Sequence, residues 1–202
     1  MKKTAVLIAA LAGLLLTAQA QAQAPGQGVY LGLSGSTVWT KGGMVYDDTV
    51  NEDTKPGGKI YGGYMSTDNW GVELGLHYLG TYDIKFANVK ISDMQTAALS
   101  AVGVYTQPLF DTGFNVNLRF GLAFTEAKYT CVSSCGVGVP ANVSTTVRGV
   151  SGTGGLGIGA KLSQAISVRV DFDHFGGIKH QVNLTEYSAG YDILSASVQV
   201  HF

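Results

Sequence analysis

Apolar and polar residues alternate strictly along segment after segment of this chain, and that rhythm restricts the fold more than any other feature. In FNVNLRFGLAF, Phe114, Val116, Leu118, Phe120, Leu122 and Phe124 alternate with Asn115, Asn117, Arg119, Gly121 and Ala123. NWGVELGLHY sets Trp70, Val72, Leu74, Leu76 and Tyr78 against Glu73, Gly75 and His77. ISVRVDFDH sets Ile166, Val168, Val170 and Phe172 against Ser167, Arg169, Asp171 and Asp173. The chain ends on LSASVQVHF, where Leu194, Ala196, Val198, Val200 and Phe202 take every second place. A period of two marks a strand with two unlike faces. Val29 to Trp39 and Ile60 to Tyr64 repeat the pattern. Residues 94–107 are small or apolar on both faces. The run GTGGLGIGA within 145–162 reads as strand only from its context, with Val150, Leu156, Ile158 and Ala160 on its apolar face.

The connections set the topology. Three are tight, at STDN, PLFDT and LSQA, and four are long, at about 40–56, 84–93, 130–144 and 178–190. Long and short alternate, so antiparallel strands put every short turn at one end and every long loop at the other. The expected fold is all-β, an eight-stranded antiparallel up-and-down transmembrane β-barrel. Alternation alone does not separate this from a soluble barrel with its apolar face inward. The loop asymmetry, a last strand ending on Phe202, and the sharing of one face by glycines and charges favour the membrane form. A closed sheet also gives every backbone N–H and C=O a partner within lipid.

Composition agrees. Only 13% of residues are charged, against about 25% in ordinary soluble domains. The net charge of −1 offers no footprint for nucleic acid. The opening MKKTAVLIAALAGLLLTAQAQAQA has two lysines, an apolar stretch and Ala-x-Ala sites. It reads as a secretory signal peptide over residues 1–22, cleaved within about 20–24, ahead of a barrel over 23–202. The apolar run is short of the ~20 residues an anchoring helix needs. Cys131 and Cys135, in CVSSC, are expected to clip the third loop with a disulfide. Two cysteines with no histidine nearby do not make a zinc site, and no motif asks for a cofactor.

GGKIYGGYMSTDNWGVELGLHYLGTYDIKF resembles the OmpA-like transmembrane domain family, the small eight-stranded outer membrane β-barrel proteins. The residues concerned are Gly62-Gly63-Tyr64, Gly71-Val72-Glu73-Leu74-Gly75 and Leu79-Gly80, with VRVDFDHF later in the chain. YMSTDNWGVEL is also similar to a stretch of the OmpW family. The resemblance implies a cell outer membrane location in a Gram-negative envelope and a glutamate of strand three held against basic residues. Glu73 is the positional match. No peptidoglycan-binding segment follows in the sequence, so a cell-wall anchoring role is not carried over. Phe202, Val200 and Val198 resemble the terminal signal that the barrel-assembly machinery reads.

Parity places Lys59, Glu73, His77, Asn115, Asn117, Arg119, Lys161, Arg169, Asp171 and Asp173 in the lumen. An eight-stranded barrel is just wide enough for its own side chains. A lumen ion-pair network of Glu73, Arg119, Arg169, Asp171, Asp173, Lys59 and Lys161 is therefore expected, with Arg119 and Arg169 as partners of Glu73. Trp39, Tyr78, Phe120, Phe124 and Phe172 are expected in an outer aromatic girdle, and Trp70, Phe110, Phe114 and Phe202 in an inner one. A lipid-modifying enzyme would need a serine beside one of His77, His174, His180 or His201, and no such motif is present. The acidic Asp47, Asp48, Glu52 and Asp53 fall in the first long loop.

The expected function is structural or surface-interacting, without catalysis, through four long extracellular loops. The expected partners are outer membrane lipids and lipopolysaccharide, the barrel-assembly machinery, and an extracellular ligand at the loops. A small channel for small or hydrophobic solutes, of OmpW type, is the alternative. A lipid A-modifying enzyme is the third reading.

Overall fold

The computed structural model describes residues 27–41, 54–86, 89–110, 112–131, 143–182 and 185–202. Its strands are β1 (Gly28–Lys41), β2 (Thr54–Met65), β3 (Trp70–Phe86), β4 (Val89–Pro108), β5 (Phe114–Cys131), β6 (Ser144–Lys161), β7 (Ile166–Val182) and β8 (Thr185–His201). Each pairs antiparallel with the next, and β8 returns to β1, closing the barrel in sequence order. The seam is long and regular, from Tyr30 opposite His201 to Lys41 opposite Gly190. The proposed leader and the first-loop acids at 47, 48, 52 and 53 lie outside the described residues.

Which face points inward separates a membrane barrel from a soluble one. Leu33, Val72 and Leu122 are 63%, 60% and 61% exposed on the outer wall, while Glu73 and Asp171 are 2% and 1% exposed inside. The outer wall from Phe114 to Phe124 carries only apolar residues at alternate places of β5, and Glu126 follows. Ten steps of about 3.4 Å, tilted by about 45°, span roughly 24 Å, the height of the apolar band of such barrels. An apolar belt this wide on a soluble surface would aggregate. Lipid is the solvent that fits it.

The strands run 12 to 20 residues, whereas about 9–11 suffice to cross a membrane. The excess stands beyond the belt at the loop end. This corrects two of the four expected long loops. Strand pairing in β3–β4 reaches Phe86 opposite Val89, and in β7–β8 Val182 opposite Thr185. Segments 84–93 and 178–190 were expected as loops because charges break their apolar pattern. Past the lipid a strand no longer needs an unbroken apolar face, so pairing continues where the apolar pattern stops.

Three register shifts lie toward the loop end. They fall between Tyr78 and Gly80, between Ile84 and Lys85, and between Phe175 and Ile178. Odd positions of β3 face inward up to Leu79, and then Tyr82 does. A β-bulge inserts one extra residue and flips the parity beyond it. Gly80 has φ +105°, a conformation that side chains resist, and a Cβ there would approach Lys55 Cβ to 2.8 Å. Replacing Gly80 with Ala is expected to lower stability by about 1–3 kcal/mol. Gly152→Ala, where the added carbon meets open space, is expected to change it by less than about 0.5 kcal/mol. Equilibrium urea unfolding in lipid vesicles measures both.

Candidate functional site in the barrel interior

The interior is built in two layers. The lower is a chain of ion pairs. Lys59 Nζ lies 2.9 Å from Glu73 Oε1, and Arg169 donates to Glu73 Oε2 at 3.1 Å. Arg169 Nε donates to Asp171 Oδ2 at 2.7 Å. Arg119 completes the chain, 2.7 Å from Asp171 Oδ2 and 2.8 Å from Asp173 Oδ1. Three cations and three carboxylates alternate, so the cluster is neutral. β2, β3, β5 and β7 supply the charges. Arg119 is held by charge more than by aligned bonds, since none of its guanidinium N–H groups is directed for a hydrogen bond.

Aromatic groups wedge the cluster. Tyr30 donates to Glu73 Oε2 at 3.1 Å. The Tyr61 ring lies against two cations, with Lys59 Nζ 4.3 Å and Arg169 Cζ 4.8 Å from its centre. Contacts of this kind favour a cation against an aromatic face. The Tyr61 hydroxyl donates to Ser197 Oγ at 2.8 Å, and Ser197 in turn to the Arg169 carbonyl at 3.2 Å.

The glycine run of β6 makes the room. Its inward positions are Gly155, Gly157 and Gly159. A Cβ on Gly155 would strike the Asp173 carboxylate, and one on Gly157 would strike Asp171 and come within 2.8 Å of Asn117 Oδ1. On Gly159 it would meet Asn115 Oδ1 at 2.7 Å. The carboxylates of β7 thus pack against bare backbone.

The upper layer, toward the loop end, is apolar. Val38, Leu79, Tyr82, Met94, Phe175, Tyr191 and Ile193 pack with Ala98, Ala123 and Ala127, all buried. The Tyr82 hydroxyl donates to the Leu79 carbonyl at 2.7 Å. His77 joins the layers: its ring meets Phe175 edge-on at 5.0 Å, and its Nε2 lies 2.9 Å from Ser100 Oγ.

Of the residues singled out from sequence, Glu73, Lys59, Arg119, Arg169, Asp171 and Asp173 come together here. Lys161 does not join them: it is exposed at the turn-end rim. Glu73 binds Arg169 and Lys59, whereas Arg119 binds the β7 carboxylates. Parity gave the inward face but not the across-barrel neighbours, and Lys161 sits at the last inward place of β6, below the network. Trp70, Phe114 and Phe202 stand on the outer wall at the turn end, with the Trp70 ring tilted against Tyr105 at 4.8 Å between centres. Tyr78 and Phe124 stand near the loop end, and Trp39 opposite Asp192. Val198 and Val200 point outward on β8, below them. Cys131 ends β5 and is buried, and Cys135 lies outside the described residues.

His174 is one of the four histidines weighed for catalysis. Its Nδ1 lies 2.6 Å from Asp192 Oδ1. Its cross-strand neighbour on β6 is Gly154, not a serine. Sequence reasoning missed Tyr30, Tyr61 and the apolar layer. The signal available was an aromatic on the otherwise polar face of β1 and β2.

Polar inside, apolar outside and closed by eight strands, the molecule has the construction of an outer membrane barrel. The family model for the outer membrane protein beta-barrel domain matches residues 8–202. The chain belongs to that family. Its localisation is accordingly the outer membrane. No curated protein sequence matches it. Among solved structures, Neisserial surface protein A is similar at 14% identity and a TM-score of 0.63, over 86% of this chain and 97% of that one. The outer membrane protein OprG from Pseudomonas aeruginosa is similar at 12% identity and 0.58, over 88% and 97%. Ail, the attachment invasion locus protein of Yersinia pestis, solved with the heparin analogue sucrose octasulfate, is similar at 13% identity and 0.52, over 86% and 98%. At these identities the likeness shows the shared fold.

Two outcomes follow for the ion-pair chain. Glu73→Ala leaves Lys59 and half of Arg169 without a counter-charge and is expected to destabilise by about 3–5 kcal/mol. Gly157→Val pushes a side chain into Asp171 and Asn117 and is expected to cost about 1–3 kcal/mol or block folding. Loss of the heat-modified gel shift, with urea midpoints, reads both.

Proposed function

We propose that this barrel is a plugged outer membrane scaffold whose work is surface interaction at its loop end, without catalysis. The observation that carries the reading is the doubly filled lumen. A neutral chain of ion pairs fills the middle, and a packed apolar layer lies above it, toward the outside. Short turns face the periplasm and long connections face outward in barrels of this kind. The wall of β3–β4 and β7–β8 therefore rises beyond the lipid as a rigid platform, and loops on rigid scaffolds commonly carry function.

Several features complete the proposal. Residues 1–22 direct export and are cleaved within about 20–24. Cys131 and Cys135 form a disulfide that stiffens the tip of the β5–β6 hairpin. The C-terminal Phe202 and its alternate valines, Val200 and Val198, engage the barrel-assembly machinery. Lipopolysaccharide packs against the outer wall. The surface ligand is extracellular, in keeping with a relative solved as an attachment invasion locus protein.

The second reading is a route for hydrophobic solutes. A groove of about 570 Å³ runs on the outer wall, bounded by Leu33, Ile60, Leu76, Leu99 and Phe124. Its inner wall includes Lys59 and His77, so the sheet separates it from the filled lumen. Single-channel recording of the refolded barrel in planar bilayers separates the readings. The scaffold reading expects silence over a range of voltages. Steady unitary steps from the native protein would overturn it and make transport the leading function.

A further inference from the structure

Above its closed part, at the loop end, the barrel wall divides in two. The β6–β7 ladder stops at Thr153 opposite Phe175, and the β2–β3 ladder at Gly58 opposite Tyr78. The neighbouring ladders run on, in β5–β6 to Thr130 opposite Ser144 and in β7–β8 to Val182 opposite Thr185. One raised sheet is therefore built of β3 to β6, with β3 and β6 at its edges. The other is built of β7, β8, β1 and β2, with β7 and β2 at its edges. An open edge is a template for another strand, and proteins commonly blunt it with proline, bulges or charge.

Three of these edges are blunted. β2 has Pro56, which carries no N–H. β3 has the register shifts at Tyr78–Gly80 and Ile84–Lys85, and β7 has the one at Phe175–Ile178. The β6 edge has neither device. Its residues 144–150, STTVRGV, contain no proline, and its pairing with β5 keeps one register from Thr130 opposite Ser144 to Phe114 opposite Ala160. Its one charge, Arg148, is matched by Glu126 at 2.7 Å.

The ladder also shows which backbone groups face outward from this edge. Cys131 N–H donates to the Val143 carbonyl, so the odd residues of β6 turn their amides toward β5. Leu162 N–H donates to the Ile166 carbonyl, so the even residues turn theirs toward the β7 side. Thr146, Arg148 and Val150 thus present N–H and C=O groups to a side where, among the described residues, no strand pairs with them. Their side chains are exposed as well.

We propose that residues 144–150 of β6 take up an extended segment of a partner protein as an added strand, with an acidic side chain opposite Arg148. The inference rests on the surface-interaction reading and names its class of partner. An extended backbone repeats donors and acceptors at the spacing this edge offers, which is the basis of recognition by strand addition. Side chains directly opposite on one face then select the sequence. Arg148 gives its Nε to Glu126, and a guanidinium has further N–H groups for a second carboxylate. Thr146 and Val150, two places away on the same face, suit β-branched neighbours.

The test uses the full mature barrel in lipid nanodiscs and a capped, dye-labelled peptide, Thr-Val-Thr-Glu-Thr-Val-Thr. Fluorescence anisotropy is expected to show saturable binding, with slowed hydrogen exchange at the Thr146 and Arg148 amides. Methylating the backbone nitrogens of the glutamate and both valines of the peptide is expected to abolish binding. Thr146→Pro removes an N–H from the open side and none from the β5 ladder. It is expected to weaken binding by about tenfold or more, whereas Thr146→Val retains it. If Thr146→Pro fails to fold, the methylated peptide makes the same test from the ligand side. Absence of saturable binding, or equal binding of the methylated peptide, would overturn the proposal. So would Thr146 and Arg148 amides protected before peptide is added, which would mean that the chain itself covers the edge. Association between barrels that is lost in Thr146→Pro would make a second copy the occupant and overturn it too. In a barrel that is silent in planar bilayers, each of these results strikes the added strand and leaves the scaffold reading standing.

Discussion

A backbone in hydrocarbon has no water to bond with, and the closure of β8 on β1 answers that demand for the whole molecule. Every strand then has two paired edges, and no N–H or C=O row is left open to lipid. Once the sheet is closed, each strand has one face to lipid and one to the lumen. The outer face has to be apolar across the belt, and the inner face is free to be polar. The strict alternation in the sequence is the written form of this requirement.

Closure at eight strands also fixes the size of the interior, and charged side chains occupy its middle. Charges taken out of water are tolerable only when paired. The chain Lys59–Glu73–Arg169–Asp171–Arg119–Asp173 meets that condition with each carboxylate next to a cation. Tyr61 lies against two of the cations, and the glycines of β6 yield volume to the carboxylates. The apolar layer of Val38, Tyr82, Phe175 and Tyr191 caps the network on the side that faces out. The polar network gives the barrel a specific interior, and the apolar layer packs above it on the loop-end side.

Strand existence, strand order and membrane character were legible in the sequence, because each follows from a period of two and from the spacing of turns; the faces were legible too, except in β4, which is small or apolar on both. Six of the seven lumen charges chosen by parity lie in the ion-pair chain. Parity could not say that Glu73 would meet Lys59 and Arg169 rather than Arg119, since that depends on shear and side-chain reach across the barrel. Lys161 has the right parity but the wrong height. The bulge at Gly80 was hidden, and with it the inward turn of Tyr82. GTGGLGIGA looked like a weak strand when read alone; opposite Asp171, Asp173, Asn115 and Asn117 its inward glycines become the space those side chains occupy. The segments at 84–93 and 178–190 were read as loops because about 9–11 residues suffice to cross a membrane, whereas strand pairing runs on through them.

The central claim is that the interior is one connected network of ion pairs rather than a set of separate polar residues. A double-mutant cycle between Glu73 and Arg169, using Glu73→Gln, Arg169→Gln and the double variant, measures this most directly by equilibrium unfolding in vesicles. A coupling energy of about 1–3 kcal/mol, with the double variant more stable than the sum of the singles allows, is the expected result. Additive effects within about 0.5 kcal/mol would show that the two groups stabilise the barrel independently and would contradict the account.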